Sequence, residues 1–167
     1  MSLIGHLYLL PEARVQALLT NPSLVVSTID SAYNEPGAGF VDLDKAWHAL
    51  HYLLTGSARD GEGPLAFLLK GGTPVGDEDL GYGPARVFQP PEVAAIADAL
   101  ADVSQRTLLP RFDLKKLERL ELYPGRWSEV NLRSDYDLGY YFGPLEDMKR
   151  VTRHGKNDGM GMLVWIS

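Results

Sequence analysis

Two of the four histidines of this 167-residue chain, His48 and His51, stand three residues apart in "LDKAWHALHYLLTG", Leu43 to Gly56. On a helix advancing about 100° per residue, Asp44, His48, His51 and Thr55 share one polar stripe. Asp44 with His48, and His51 with Thr55, are then neighbours one turn apart. Such a stripe can orient an imidazole for proton transfer or offer two metal ligands, since histidine changes protonation near neutral pH. Beside it runs an apolar stripe of Leu43, Trp47, Leu50 and Leu54, widened by Ala46 and Leu53. The bland alternative is therefore a core helix in which His51 bonds at the edge of the core and His48 faces solvent. "HALH" lacks the glutamate base of the zincin "HExxH", and no third ligand can be assigned. The core reading is preferred, with no metal and no cofactor expected.

Other residue groups carry weaker chemistry. Asp77, Glu78 and Asp79 do not follow the spacing of an EF-hand and read as a solvated acidic loop. "GTPVGDEDLGYGPAR" is glycine-rich but has no "GK[ST]", so it is not a P-loop, although Tyr82 and Arg86 can face a groove formed by its glycines. Lys149, Arg150, Arg153, His154 and Lys156 crowd the end of one helical stretch, where a helix C-terminus favours cations. Trp127, Tyr136, Tyr140, Tyr141 and Phe142 fit a binding surface or a core equally well. No serine lies in a "GxSxG" elbow.

Composition narrows the classes. Sixteen Lys and Arg against 22 Asp and Glu give a net charge of -6, which disfavours a general nucleic-acid binder. There is no cysteine, so disulfides, thiolate ligands and a cysteine nucleophile are excluded. Neither "LIGHLYLL" nor "MLVWIS" is long enough to span a membrane, and a soluble cytoplasmic protein is expected.

The elements that must position these residues follow from hydrophobic period and punctuation. "LIGHLYLL" reads as a largely buried strand. "PEARVQALLTNP" reads as a helix stopped at Asn21 and Pro22. "SLVVSTIDSAY" is ambiguous between strand and helix, and "NEPGAG" is a loop. The motif helix follows, with Asp42 as N-cap, Trp47 in the buried face and Gly56 as C-cap. "PLAFLLKGG" reads as a short apolar helix stopped by Gly71 and Gly72. A loop over "TPVGDEDLGYGP" leads to the short strand "ARVF". Next come the helix "PPEVAAIADALADVS", a short helix "LKKLERL" capped by Asp113, and a long final helix that Gly143 and Pro144 can divide. "GMGMLVWI" closes as a strand. The expectation is α+β: one compact domain over residues 1–167, with helices packed on a small mixed or antiparallel sheet that uses both chain ends.

The blocks "LIGHLYLL", "DLDKAWHALHYLLTG", "GYGPARVFQPPEVAAIADAL" and "LYP", in this order, resemble the YfbM-like family of bacterial proteins of unknown function. The resemblance extends over nearly the whole chain. It implies a single α+β domain and carries over motif membership only, for Asp42, Asp44, Lys45, Trp47, His51, Leu54, Thr55, Gly56 and the Gly81 to Arg86 block. The family supplies no reaction, substrate or catalytic set. The resemblance is weaker at His48, which counts against a two-histidine metal site. Gln89 and Pro90 depart from the Ser or Thr cap expected before the following helix.

Function is expected to be non-catalytic: an interaction or ligand-binding domain with His48, His51, Thr55, Tyr82 and Arg86 as binding candidates. Its partner is a protein or a small ligand, not nucleic acid or membrane. A specific form is a toxin-neutralising protein of a bacterial conflict system, because acidic surfaces complement basic effectors. The competing reading is a hydrolase-like acid/base enzyme using His51, supported by His48 or Asp44, with Thr55 or Tyr82 orienting the substrate.

Overall fold

The computed structural model describes residues 2–167. Strand β1 (Gly5–Leu10) is followed by helices α1 (Glu12–Thr20) and α2 (Leu24–Asn34), strand β2 (Phe40–Asp44) and helix α3 (Trp47–Thr55). A 3-10 turn (Pro64–Ala66) precedes strands β3 (Thr73–Pro74) and β4 (Arg86–Phe88). Helices α4 (Pro90–Leu100), α5 (Gln105–Leu108), α6 (Leu114–Arg119) and α7 (Asp135–Asp158) lead to the last strand, β5 (Gly161–Ile166).

The five strands form one sheet in the order β2-β1-β5-β4-β3, antiparallel throughout. β1 and β5, from opposite ends of the chain, pair in the centre, with Leu7 opposite Val164 and Leu9 opposite Met162. Strand alternation splits the apolar residues between the two faces. Leu7, Leu9, Met162, Val164 and Ile166 join the larger core with α3, α4 and α7. Leu10, Leu163 and Trp165 join a smaller core with Val15, Leu18 and Val25 of α1 and α2. With both faces covered, every residue of β5 is buried, which is why "GMLVWI" shows no polar alternation.

The ambiguous stretch is helix α2. Val25, Thr28 and Ala32 recur at helical spacing and are buried. Its hydroxyls bond back along the helix, Thr28 Oγ1 to Leu24 O at 2.7 Å and Ser31 Oγ to Ser27 O at 2.8 Å. The short apolar helix expected over "PLAFLLKGG" is only the turn Pro64–Ala66, and the loop after it contains the two-residue strand β3. α7 is continuous through Pro144 rather than divided there. At the start of α4, Glu92 Oε2 accepts from Gln89 N at 2.7 Å, so the missing Ser or Thr is replaced by a residue reaching back.

The motif helix begins later than expected, and Asp42 does not cap it. "FVDLD" alternates with period two and pairs with β1 as an edge strand: Val41 and Leu43 are buried, while Asp42 is exposed. Asp42 Oδ1 accepts from Asp44 N at 2.7 Å, turning the chain before the helix. Ala46 occupies the cap position without a side-chain hydrogen bond. Gly56 closes α3 in the left-handed conformation (φ 77°), as expected for a C-terminal glycine.

Candidate functional site

Trp47 anchors α3 in the larger core. It is fully buried, and its Nε1 donates to Leu3 O at 3.0 Å. A side chain at Gly5 would place a Cβ 2.8 Å from Trp47 Cβ, so the bulge between β1 and β2 and the indole occupy one space.

His48 and His51 both point inward. His48 is 2% exposed, and its Nδ1 accepts from Tyr123 N at 2.9 Å. That bond leaves the proton on Nε2, which donates to Ala58 O at 2.6 Å. The neutral ring thus ties α3 to two loops and lies flat against Trp47, with centroids 4.7 Å apart. The expectation of a solvent-facing His48 is corrected: these two backbone partners draw it inside.

His51 is 0% exposed. Its Nε2 donates to Asp60 O at 3.0 Å, and its buried Nδ1 has no partner among the described residues. Burial lowers its pKa from 6.5 to about 4, opposed by the Asp60 carbonyl and reinforced by repulsion from His48 once both rings are protonated and by the charges of Lys70 and Arg86. Burial likewise lowers the pKa of His48.

The remaining members of the predicted stripe separate. Asp44 belongs to β2, and its Oδ2 accepts from Tyr140 OH of α7 at 3.1 Å. Burial first, then the Asp44 carboxylate, raises the pKa of that phenol. Thr55 donates to His51 O at 2.8 Å and accepts from Ser57 N at 3.1 Å, closing the helix end. His48 and His51 are buried, Asp44 and Thr55 are partly buried, and the four side chains hydrogen-bond to different partners.

Tyr82 and Arg86 do come together. They share the wall of a hollow of about 150 Å³ with Leu69, Pro84, Val164 and Ile166. The Tyr82 ring also packs against Trp47 at 5.0 Å. Arg86 Nη1 donates to Gly71 O at 3.0 Å, and Nη2 donates to Phe67 O at 3.0 Å and Leu68 O at 2.6 Å. Burial lowers the Arg86 pKa to about 10. The loop before it is held by Asp79, whose Oδ1 accepts from Gly81 N and Gly83 N, both at 2.8 Å.

The other charged and aromatic groups are spent largely on the fold. Lys149 donates to Val103 O, Arg150 to Ala38 O, His154 pairs with Asp158, and Lys156 pairs with Asp98. Trp127, Tyr141 and Phe142 are buried, whereas Tyr136 is exposed.

His6 escaped the sequence reading. On β1 it stacks on Trp165 at 4.9 Å, meets the Tyr33 edge at 5.1 Å, and lies 3.9 Å from Asp42 Oδ1. Burial lowers its pKa against the pull of Asp42 and Asp44. The only signal was its alternate position in an apolar strand; its partners come from α2, β2 and β5, which only the register brings together.

A family model described as a domain of unknown function, DUF1877, matches residues 1–165. Protein YfbM of Escherichia coli (strain K12) is 31% identical over 130 residues, covering 75% of each chain. A crystal structure of YfbM from Escherichia coli, a protein of unknown function, matches with a TM-score of 0.73 at 24% identity, covering 98% of this chain and 99% of that one. Among the described residues, no helix is long and apolar enough to cross a membrane.

Proposed function

On the premise that this chain belongs to the DUF1877 family, which includes YfbM, we propose that it is a non-catalytic binding domain of the cytoplasm whose recognition site is the Tyr82–Arg86 hollow. One contrast carries this reading. The histidines of α3 are buried and committed to backbone groups, while Tyr82 and Arg86 keep an opening of about 150 Å³ between them. A concavity where apolar wall and a few convergent polar groups meet is a form that small-ligand sites take, and this one suits only a small ligand. The net charge of -6 supports a basic partner where the ligand is a protein, in the manner of a toxin-neutralising domain.

A thermal-shift screen of small acids, amides, sugars and nucleotides tests the reading. The expected result is a compound class that raises the Tm of the parent but leaves Tyr82→Ala unmoved. Turnover of any substrate that vanishes in His51→Gln, with the variant still folded, overturns it in favour of acid/base catalysis.

A further inference from the structure

Resting on the hollow as the binding site, we propose that its ligand group is a monoanionic carboxylate on a short apolar stem, seated against Arg86. The argument begins with charge. Arg86 is partly buried, yet none of the ion pairs among the described residues includes it. Its pKa is lowered by burial with no opposing carboxylate. A cation withdrawn from water without a counter-charge is costly, and carbonyl dipoles compensate only part of that cost. Among the described residues, three carbonyls, those of Phe67, Leu68 and Gly71, and the Phe88 ring 5.6 Å away supply its compensation. Of the five N–H donors of a guanidinium, these bonds occupy three and leave Nε–H unused.

Size and wall chemistry then select the ligand. A volume of about 150 Å³ admits only a few non-hydrogen atoms. Leu68, Leu69, Val164 and Ile166 contribute to the apolar part of a mixed lining, which would accept a short alkyl stem. Lys and His are absent from the lining, so a dianionic phosphate would bring a second negative charge with no second cation to meet it. A carboxylate balances Arg86 one to one and forms the charge-assisted hydrogen bonds that guanidinium donors favour. Tyr82, 38% exposed, lines the same hollow.

The test follows the Arg86 Nε–H resonance in arginine-selective ¹H–¹⁵N spectra of the intact chain. Sodium propionate should shift it saturably with a Kd of about 1 mM, the range expected for so small a ligand. Propionamide, and sodium chloride at equal ionic strength, should not. N-acetylalanine against N-acetylalaninamide distinguishes a peptide's terminal carboxylate, which shifts the resonance only as the acid, from a free short acid that alone fits. Leu69→Phe fills the hollow from its apolar side while keeping Arg86 and its carbonyls, and should weaken propionate about tenfold. The proposal is overturned if propionate gives no saturable shift, if propionamide or chloride matches it, or if Leu69→Phe binds propionate as the parent does. Loss of the carboxylate alone leaves the binding-domain reading standing, provided another compound still raises the Tm in a Tyr82-dependent way.

Discussion

At the scale of single residues, burial decides what each imidazole can do. The folded pKa of His51, about 4, lies below its unfolded value of 6.5, so between these values the unfolded chain binds the proton more readily. The stability tied to the neutral ring is complete above about pH 6.5 and is lost as pH falls toward 4, a change of about 3 kcal/mol for this ring. His6 and His48, also lowered by burial, act in the same direction. Urea unfolding at pH 7 and pH 5 should show the decline, and His51→Gln should reduce it; equal stability at both pH values contradicts a neutral buried ring. At pH 7 Trp47 outranks His51 as a source of stability. Trp47→Ala empties a fully buried site and should cost about 3–5 kcal/mol. His51→Gln, which can retain a donor to Asp60 O, should cost about 1 kcal/mol. Denaturant midpoints of the two variants check the order, and a Trp47→Ala loss within about 0.5 kcal/mol would mark the indole as surface-like.

At the scale of elements, α7 carries a pair of glycines that should respond in opposite senses. Gly139 is exposed with open space around the position of a Cβ, and alanine there removes backbone entropy from the unfolded chain without a clash. Gly139→Ala should stabilise by about 0.5–1 kcal/mol. At Gly155 a Cβ would lie 2.8 Å from Leu9 Cδ2 and 2.9 Å from Val93 Cγ1, because this turn is where α7 meets β1 and α4. Gly155→Ala should therefore destabilise by about 1–3 kcal/mol through overpacking. Calorimetric Tm values moving up for one and down for the other check the helix placement; two shifts of the same sign refute it. The start of α3 teaches a related lesson. Leu43 satisfies a helical stripe and a strand alternation equally, so the "DLD" before the helix looked like a cap until pairing with β1 claimed it.

At the scale of the whole molecule, the sheet depends on residues from the two ends of the chain. β5 lies between β1 and β4 and contributes to both cores. Removing residues 161–167 deletes the central strand, and the remaining chain should lose its near-ultraviolet circular dichroism and cooperative melting. A truncated chain that still melted cooperatively would show that the helical layers hold together without the sheet's centre. The pairing joins segments far apart in sequence, so its loop-closure cost is met only when the intervening helices pack.

The α+β class, the use of both chain ends in one sheet, the buried face of Trp47 and the stop at Gly56 were all legible in the sequence. Each rests on local period or on a backbone preference that one segment carries by itself. The ambiguous "SLVVSTIDSAY" was not legible, because β-branched residues fit either state until a helix face had somewhere to pack. Nor could the polar stripe be judged. Whether His48 meets solvent or the Tyr123 amide, and whether His51 faces a pocket or the core, depends on loops distant in sequence or folded back over the helix. Arg86 lost its solvent to the Phe67–Gly71 carbonyls, and His6 acquired Tyr33, Asp42 and Trp165, through contacts no local pattern encodes. Sequence determined which residues must be inside. Tertiary structure alone decided which polar groups went in with them, because burial and its compensation are properties of the assembled surroundings rather than of the side chain.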